Sequence, residues 1–281
     1  ACTLGLIKKR GGSSSRREIS HFLDGLVTEG ALSYGEIVKS ANYCNIPLYS
    51  PYICALISFT EQNRLLQTSE WLGTSALLRS QLADKWEMLS GNISYAFAKY
   101  NNVILVLQQS ESLPVYEQVA LVREYCGDLM KMLSAKGQDR GVIFGIGDPV
   151  PSLAEFCRSY SQALRTVDLA SRICDERIAT YRRYILCELI YDSPNAKLAL
   201  IQRIKPLLAY DEEHNTQLLY TLETYFNNCQ NSVKTSKALF IHRNTLLYRL
   251  DRIAEILDLN YNDSEQMLTF QLALKAFLMC Q

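Results

Sequence analysis

The stretch from Asn231 to Leu257 constrains this chain more than any other, because its apolar residues read as two helices joined by a tight corner. The first helix is expected from about Val233 to Leu239. Phe240 and Ile241 are apolar and are expected to plug the corner. His242 precedes a longer helix running to about Leu257. Within it Leu246, Leu250, Ile253 and Leu257 recur at steps of four, three and four, so they share one buried stripe. Thr245, Tyr248, Arg249 and Arg252 share a different, polar face, and Arg243 and Asn244 stand at the helix start.

That layout predicts a helix-turn-helix, a short helix across the DNA backbone followed by one whose first turns enter the major groove. The residue types suit base reading. Arg can bond guanine edges bidentately, Asn can do the same for adenine, and a Thr methyl can touch a thymine methyl. Residues 229–256 carry Lys234, Lys237, Arg243, Arg249 and Arg252 against Asp251 and Glu255. Such a local excess of cations fits phosphate contact, which supplies much of a DNA-binding protein's affinity. The competing reading is a helix pair whose cationic face is merely solvated.

The whole chain is neutral, with 29 Lys and Arg against 29 Asp and Glu. This excludes a generally basic nucleic-acid coat but not a local DNA-binding face, since the field depends on distribution. With 281 residues there is room for two domains and a small third. Nine cysteines are scattered with no C-x-x-C pair, and there are three histidines, so no zinc tetrad is expected. Buried, reduced thiols in a cytoplasmic protein are the expectation. No apolar run reaches membrane-spanning length, and no signal peptide is expected. The chain opens Ala-Cys-Thr without a Met, which suggests a piece of a longer protein.

From the start, Lys8 to Arg17 mixes Gly, Ser and five cations and reads as a flexible arm. Ile19, Phe22, Leu23 and Leu26 form an amphipathic stripe, and Ser33 with Glu36 makes a capping box for a second helix to about Tyr43. Tyr52–Phe59 is a continuous apolar run and predicts a buried strand. A helix is expected over about 74–89. Two strands, 93–98 and 103–108, flank a polar turn, Lys99-Tyr100-Asn101-Asn102. A helix over about 114–135, a strand at 141–147 and a helix from Leu153 to about Cys174 complete a mainly antiparallel or mixed sheet with helices. Gly145-x-Gly147 does not fit a dinucleotide loop, because Pro149 and Pro151 intervene before the next helix; a tight strand exit is expected. Tyr181-Arg182-Arg183-Tyr184 reads as a surface joint rather than a nucleic-acid patch. Asp192-Ser193-Pro194-Asn195 is the clearest break. The helices expected beyond it are 196–209, 216–227, the corner pair, and 264–279 with Asp263 and Gln266 as a capping pair.

His242-Arg243-Asn244-Thr245-Leu246-Leu247-Tyr248-Arg249-Leu250 closely resembles the signature of the PucR/CdaR family of bacterial transcription regulators. Leu207-Leu208-Ala209-Tyr210-Asp211 and Leu219-Tyr220-Thr221-Leu222-Glu223-Thr224-Tyr225 are similar to that family's approach to the signature. Ser236 departs from the family's usual Ala at the contact between the two helices. The middle region resembles the family's GGDEF-like domain, on the strand Phe144-Gly145-Ile146-Gly147 and the helix carrying Ala163, Leu164 and Ala170. In diguanylate cyclases the hairpin turn carries glycines that admit nucleotide and acids that hold magnesium. The matching turn here, Lys99-Tyr100-Asn101-Asn102, has neither.

The resemblance implies an α+β multidomain protein. Residues 1–50 would be an arm and helical lead-in, 51–192 a degenerate nucleotide-cyclase-like domain of GGDEF type, and 193–281 an all-α helix-turn-helix domain. It implies a cytoplasmic regulator of a catabolic or metabolic operon. Double-stranded DNA and a second copy of the chain are the expected partners, with a small-molecule effector of unknown identity and no membrane. Asn244, Thr245, Tyr248 and Arg249 are expected to face the groove. Lys234, Lys237, Arg243 and Arg252 are expected on phosphate. No catalytic residue, metal or cofactor is expected. The alternatives are a small-molecule sensor and a protein with residual nucleotide processing.

Overall fold

The computed structural model describes residues 16–59, 90, 92, 94–99, 102–135, 137, 139, 141–173 and 176–280. The arm expected over 1–17 ends in helix instead, since Arg16 and Arg17 begin the first helix. Residues 1–15 and the expected helix at 74–89 lie outside the described residues. So do Tyr100 and Asn101 at the hairpin turn. The chain falls into two compact units, residues 1–184 and 185–281.

The first unit is built on a five-stranded sheet in the order β2-β3-β1-β4-β5. Its strands are β1 (Tyr52–Phe59), β2 (Ser94–Lys99), β3 (Asn102–Gln108), β4 (Val142–Ile146) and β5 (Ile178–Thr180). β1 is central and pairs antiparallel with both β3 and β4. The β2–β3 hairpin is also antiparallel, and β4–β5 is the one parallel pair among the described strands. The expectation of a mixed, mainly antiparallel sheet is met. β5 was not anticipated, because three residues are too few to show a period.

β1 reads as an unbroken apolar run because both its faces are covered. Tyr52, Cys54 and Leu56 join one core and Ile53, Ala55 and Ile57 the other. The first core is closed by α1 (Arg16–Leu26), α2 (Tyr34–Tyr43) and α4 (Phe156–Ile173). The second is closed by α3 (Val115–Ala135), through Val122, Tyr125, Cys126, Leu129 and Leu133. Ile19, Phe22, Leu23 and Leu26 are all buried, and the capping box of α2 is formed between Ser33 and Glu36. The Glu36 carboxyl is held below its usual range, first by the Ser33 hydroxyl and then by the Ser33 backbone. A single 3-10 turn, Leu153–Glu155, precedes α4, so the helix expected from Leu153 starts at Phe156.

The two glycines of β4 and its exit are sites of close approach. A Cβ on Gly145 would lie 2.3 Å from the Ala163 carbonyl oxygen, and one on Gly147 would lie 2.1 Å from that of Ser159. Both oxygens belong to α4. The Ser159 hydroxyl then knits the layers, accepting from the Cys54 amide at 2.9 Å and donating to the Asp148 carbonyl at 2.7 Å. The Gly-x-Gly pair is therefore a helix–strand contact.

Tyr181-Arg182-Arg183-Tyr184 opens α5 (Tyr181–Tyr191). Arg182 pairs with Asp148 at 2.8 Å, Arg183 with Glu176 at 3.3 Å, and Tyr184 is buried. This is the joint anticipated. Seven described cysteines are free: Cys44, Cys54, Cys126 and Cys187 are buried, Cys157 is partly so, and Cys229 and Cys280 are exposed. The expectation of buried thiols thus holds for four of them. Burial pushes the Cys54 and Cys126 thiols well up, which makes them poor nucleophiles. Among the described residues no helix is long and apolar enough to cross a membrane.

The described elements of the second unit are all helices: the end of α5, then α6 (Pro194–His214), α7 (Leu218–Asn227), α8 (Ser232–Ala238), α9 (Arg243–Leu257) and α10 (Ser264–Leu278). Asp192 and Ser193 interrupt the chain before α6. One core gathers Ile204, Leu207, Leu218 and Leu222 with the α9 stripe and with Met267, Phe270 and Leu274 of α10. Asp263 caps α10 through the Glu265 and Gln266 amides. Gln266 does not complete the expected reciprocal pair; its side-chain oxygen accepts from the Asn260 amide instead.

Candidate nucleic-acid interface

The corner pair forms as a capped, buried unit. Asn231 accepts from the Val233 and Lys234 amides, both at 3.0 Å, and so starts α8. Thr235 and Ser236 turn inward and are buried. The Ile241 amide donates to the Ser236 carbonyl at 3.0 Å, so the chain doubles back closely over Ser236. Its small side chain fits there, with the hydroxyl donating to the Val233 carbonyl. His242 is the cap of α9: its Nδ1 accepts from the Asn244 amide at 3.2 Å. The stripe expected inside is inside, with Leu246, Leu250, Ile253 and Leu257 all buried.

One expectation about the corner is corrected. Phe240 does not plug it. The residue is 96% exposed, and its backbone is left-handed at φ 54. Leu239 and Ile241 pack against the core on either side, and the left-handed turn between them throws Phe240 outward.

The sequence-selected residues fall into two sets. Lys234 and Lys237 on α8, and Arg243, Asn244, Thr245 and Tyr248 on α9, are exposed. Among the described residues no ion pair engages Lys234, Lys237 or Arg243. Arg249 and Arg252 are tied down. The Arg249 guanidinium donates to the hydroxyl of Thr221, a fully buried residue on α7, at 3.1 Å. The Arg252 guanidinium donates to the Tyr210 hydroxyl at 3.2 Å, lies 5.0 Å over the Tyr210 ring, and pairs with Glu255 at 2.6 Å. Tyr210 itself stacks on His214 at 4.0 Å. The two arginines thus fasten α9 to α7 and α6. A cleft of about 480 Å³ opens there, lined by Thr245, Tyr248, Arg249, Arg252, Tyr210 and Gln217, among others.

Sequence reasoning missed what the Tyr-Asp pair at the end of α6 does. The Asp211 carboxylate reaches across the loop and accepts from the Leu218 amide at 2.8 Å and the Leu219 amide at 2.9 Å, and from the Thr216 hydroxyl. It caps α7 from outside, a role that an N-cap search within one helix cannot see. Replacing Asp211 with Ala should cost about 1–2 kcal/mol, read as a lower urea midpoint of the second unit. An unchanged midpoint would show the cap to be dispensable. Tyr261 also escaped notice. Burial pushes its phenol up, so it stays protonated and donates to the Leu250 carbonyl at 2.8 Å, bracing α9.

At the other end of the chain, the hairpin turn that would carry acids in a cyclase carries a structural cation. Lys99 pairs with Asp24 of α1 at 2.9 Å and donates to the Thr28 hydroxyl at 2.6 Å.

These features define a class: a domain built on a mixed five-stranded sheet in the same chain as a helix-turn-helix domain. The comparisons agree. Residues 29–169 match the profile of the GGDEF-like domain, and residues 218–276 match that of the PucR C-terminal helix-turn-helix domain. The chain belongs to the PucR/CdaR family of transcription regulators. It is 27% identical over 187 residues to the proline-responsive transcriptional activator PutR of Bacillus subtilis, covering 62% of this chain and 43% of that protein. It is 24% identical over 278 residues to the purine catabolism regulatory protein of the same organism, covering 93% and 49%. It is 30% identical over 131 residues to the carbohydrate diacid regulator of Escherichia coli, covering 46% and 34%. The chain thus spans about half or less of the length of these relatives.

Proposed function

We propose that the chain is a cytoplasmic, DNA-binding transcriptional regulator of a catabolic or metabolic operon, acting as a homodimer. The observation that carries this reading is the division of labour on the corner pair. The apolar stripe of α9 is buried, its arginines at 249 and 252 are hydrogen-bonded to α7 and α6, and Lys234, Lys237, Arg243, Asn244, Thr245 and Tyr248 remain exposed on one motif.

The acids of α9 indicate how it enters the groove. Asp251 and Glu255 follow Tyr248 at three and seven residues, so they continue the same outward face. Carboxylates there repel phosphate, so only the first two turns reach bases. Asn244 and Tyr248 are then the base readers, with Thr245 beside them. Arg243, Lys234 and Lys237 take phosphates, while Arg249 and Arg252 act by holding the helix at its angle. A dimer would place two such helices on two half-sites.

The test is fluorescence anisotropy of labelled duplexes, including the segment upstream of the protein's own gene, over a salt series. Expected is tight binding of one duplex over scrambled ones, with affinity falling steeply as salt rises. Equal binding of every duplex would contradict sequence reading.

The first unit is read as a non-enzymatic signalling domain, because the cyclase-like turn offers Lys99 in place of metal-binding acids. A sensing role has a place to begin. A cavity of about 500 Å³ beside α1 and α2 is lined by Glu18, His21, Phe22, Ser40, Tyr43 and Cys44. A small metabolite that binds there should raise the melting temperature, and a Tyr43→Phe and Ser40→Ala double variant should abolish that rise.

A further inference from the structure

We propose that Phe240 is a DNA-contacting residue that packs on the sugar faces at the rim of the groove entered by α9. The inference rests on the DNA-binding reading and extends it to a residue outside the hydrogen-bonding set.

Two independent observations meet at Phe240. The residue is 96% exposed, the most exposed of the large apolar residues described in the chain. Its backbone is left-handed at φ 54, a region that disfavours every residue with a Cβ and favours glycine. A bulky aromatic residue here helps neither the core, which it does not touch, nor the turn, which glycine would make with less strain. The turn itself is specified without the side chain. The Phe240 amide donates to the Lys237 carbonyl and the Ile241 amide to that of Ser236.

The surroundings identify the occupant. Phe240 lies between Lys237 on α8 and Arg243 on α9, both exposed cations. No acidic residue occurs between Asn228 and Leu250. An apolar ring set among cations, one turn ahead of the helix end that carries Asn244, suits a surface that is anionic but presents C–H faces between its charges. The sugar–phosphate strand at the groove rim has that character. A phenyl ring cannot hydrogen-bond base edges, so its contribution should not depend on sequence.

The experiment is Phe240→Gly in the full chain, assayed by anisotropy on the preferred and a scrambled duplex, with thermal melting and sedimentation alongside. Removing the ring should weaken both duplexes by the same factor, about tenfold. The salt slope should not change, because no charge is lost. The melting temperature should rise by several degrees as the left-handed strain is relieved. Unchanged binding would overturn the proposal. So would a loss confined to the preferred duplex, which would make Phe240 a base reader. So would a fall in melting temperature, which would make it part of the fold, or weakened self-association with intrinsic DNA affinity intact, which would make it a protein contact. If the unmodified protein bound no duplex at all, the DNA-binding reading would fail first and carry this one with it.

Discussion

Replacing Gly147 with Ala should remove a large share of the stability of the first unit. The new methyl would lie 2.1 Å from the Ser159 carbonyl oxygen, an atom of the α4 backbone that no rotamer change can move. Either α4 slides away from the sheet or the exit of β4 bends. Both routes break the Ser159 bridge between the Cys54 amide and the Asp148 carbonyl. Overpacking alone costs about 1–3 kcal/mol, and two buried hydrogen bonds add about 1 kcal/mol each. A domain with a margin of roughly 5–15 kcal/mol would lose a large share of it. Urea denaturation followed by circular dichroism should show the sheet unit melting early while the helical unit keeps its own midpoint. Gly35→Ala is the control: apart from its chain neighbours and its own helix backbone, no atom lies within 4 Å of a Cβ there, and the position is in the first turn of α2. That change should be neutral or slightly stabilising. Equal midpoints for Gly147→Ala and the unmodified protein would mean that the helix–strand approach is looser than described.

The second large effect belongs to Asn244. An asparagine that reads adenine bidentately is worth about 1–3 kcal/mol of discrimination. Asn244→Ala should therefore weaken the preferred duplex by roughly 5- to 150-fold and leave scrambled duplexes almost untouched, with the salt slope unchanged. Lys237→Ala should behave in the opposite way. It should weaken every duplex similarly and reduce the salt slope by about one. Neither variant should alter melting, since both side chains are exposed and the α9 cap uses the Asn244 backbone, not its side chain. Identical behaviour of the two variants would contradict the assignment of one to bases and the other to phosphate.

Much of this was legible from residues, for identifiable reasons. β1 was read over its full length because burial on both faces leaves an uninterrupted apolar run bounded by polar residues. The α9 stripe was legible because a helix with one buried face repeats at three and four. What escaped notice depended on contacts across the chain or on backbone geometry. Asp211 caps a helix that begins seven residues later. Arg249 and Arg252 share a face with Thr245 and Tyr248 in the sequence, and each also hydrogen-bonds a side chain on α7 or α6, which helical spacing does not reveal. Hydrophobicity alone predicts that Phe240 plugs the corner. Its left-handed turn reverses the direction in which the side chain leaves the backbone.

The central claim is that the first two turns of α9 read DNA sequence. The most direct measurement is selection of bound duplexes from a random library, run in parallel with the unmodified chain and with Asn244→Ala. The account predicts that the unmodified chain enriches two related half-sites about one helical turn apart. It predicts that Asn244→Ala enriches the same pattern with a single position relaxed in each half. A library that emerges unenriched, or the same unrelaxed motif from both proteins, would contradict it.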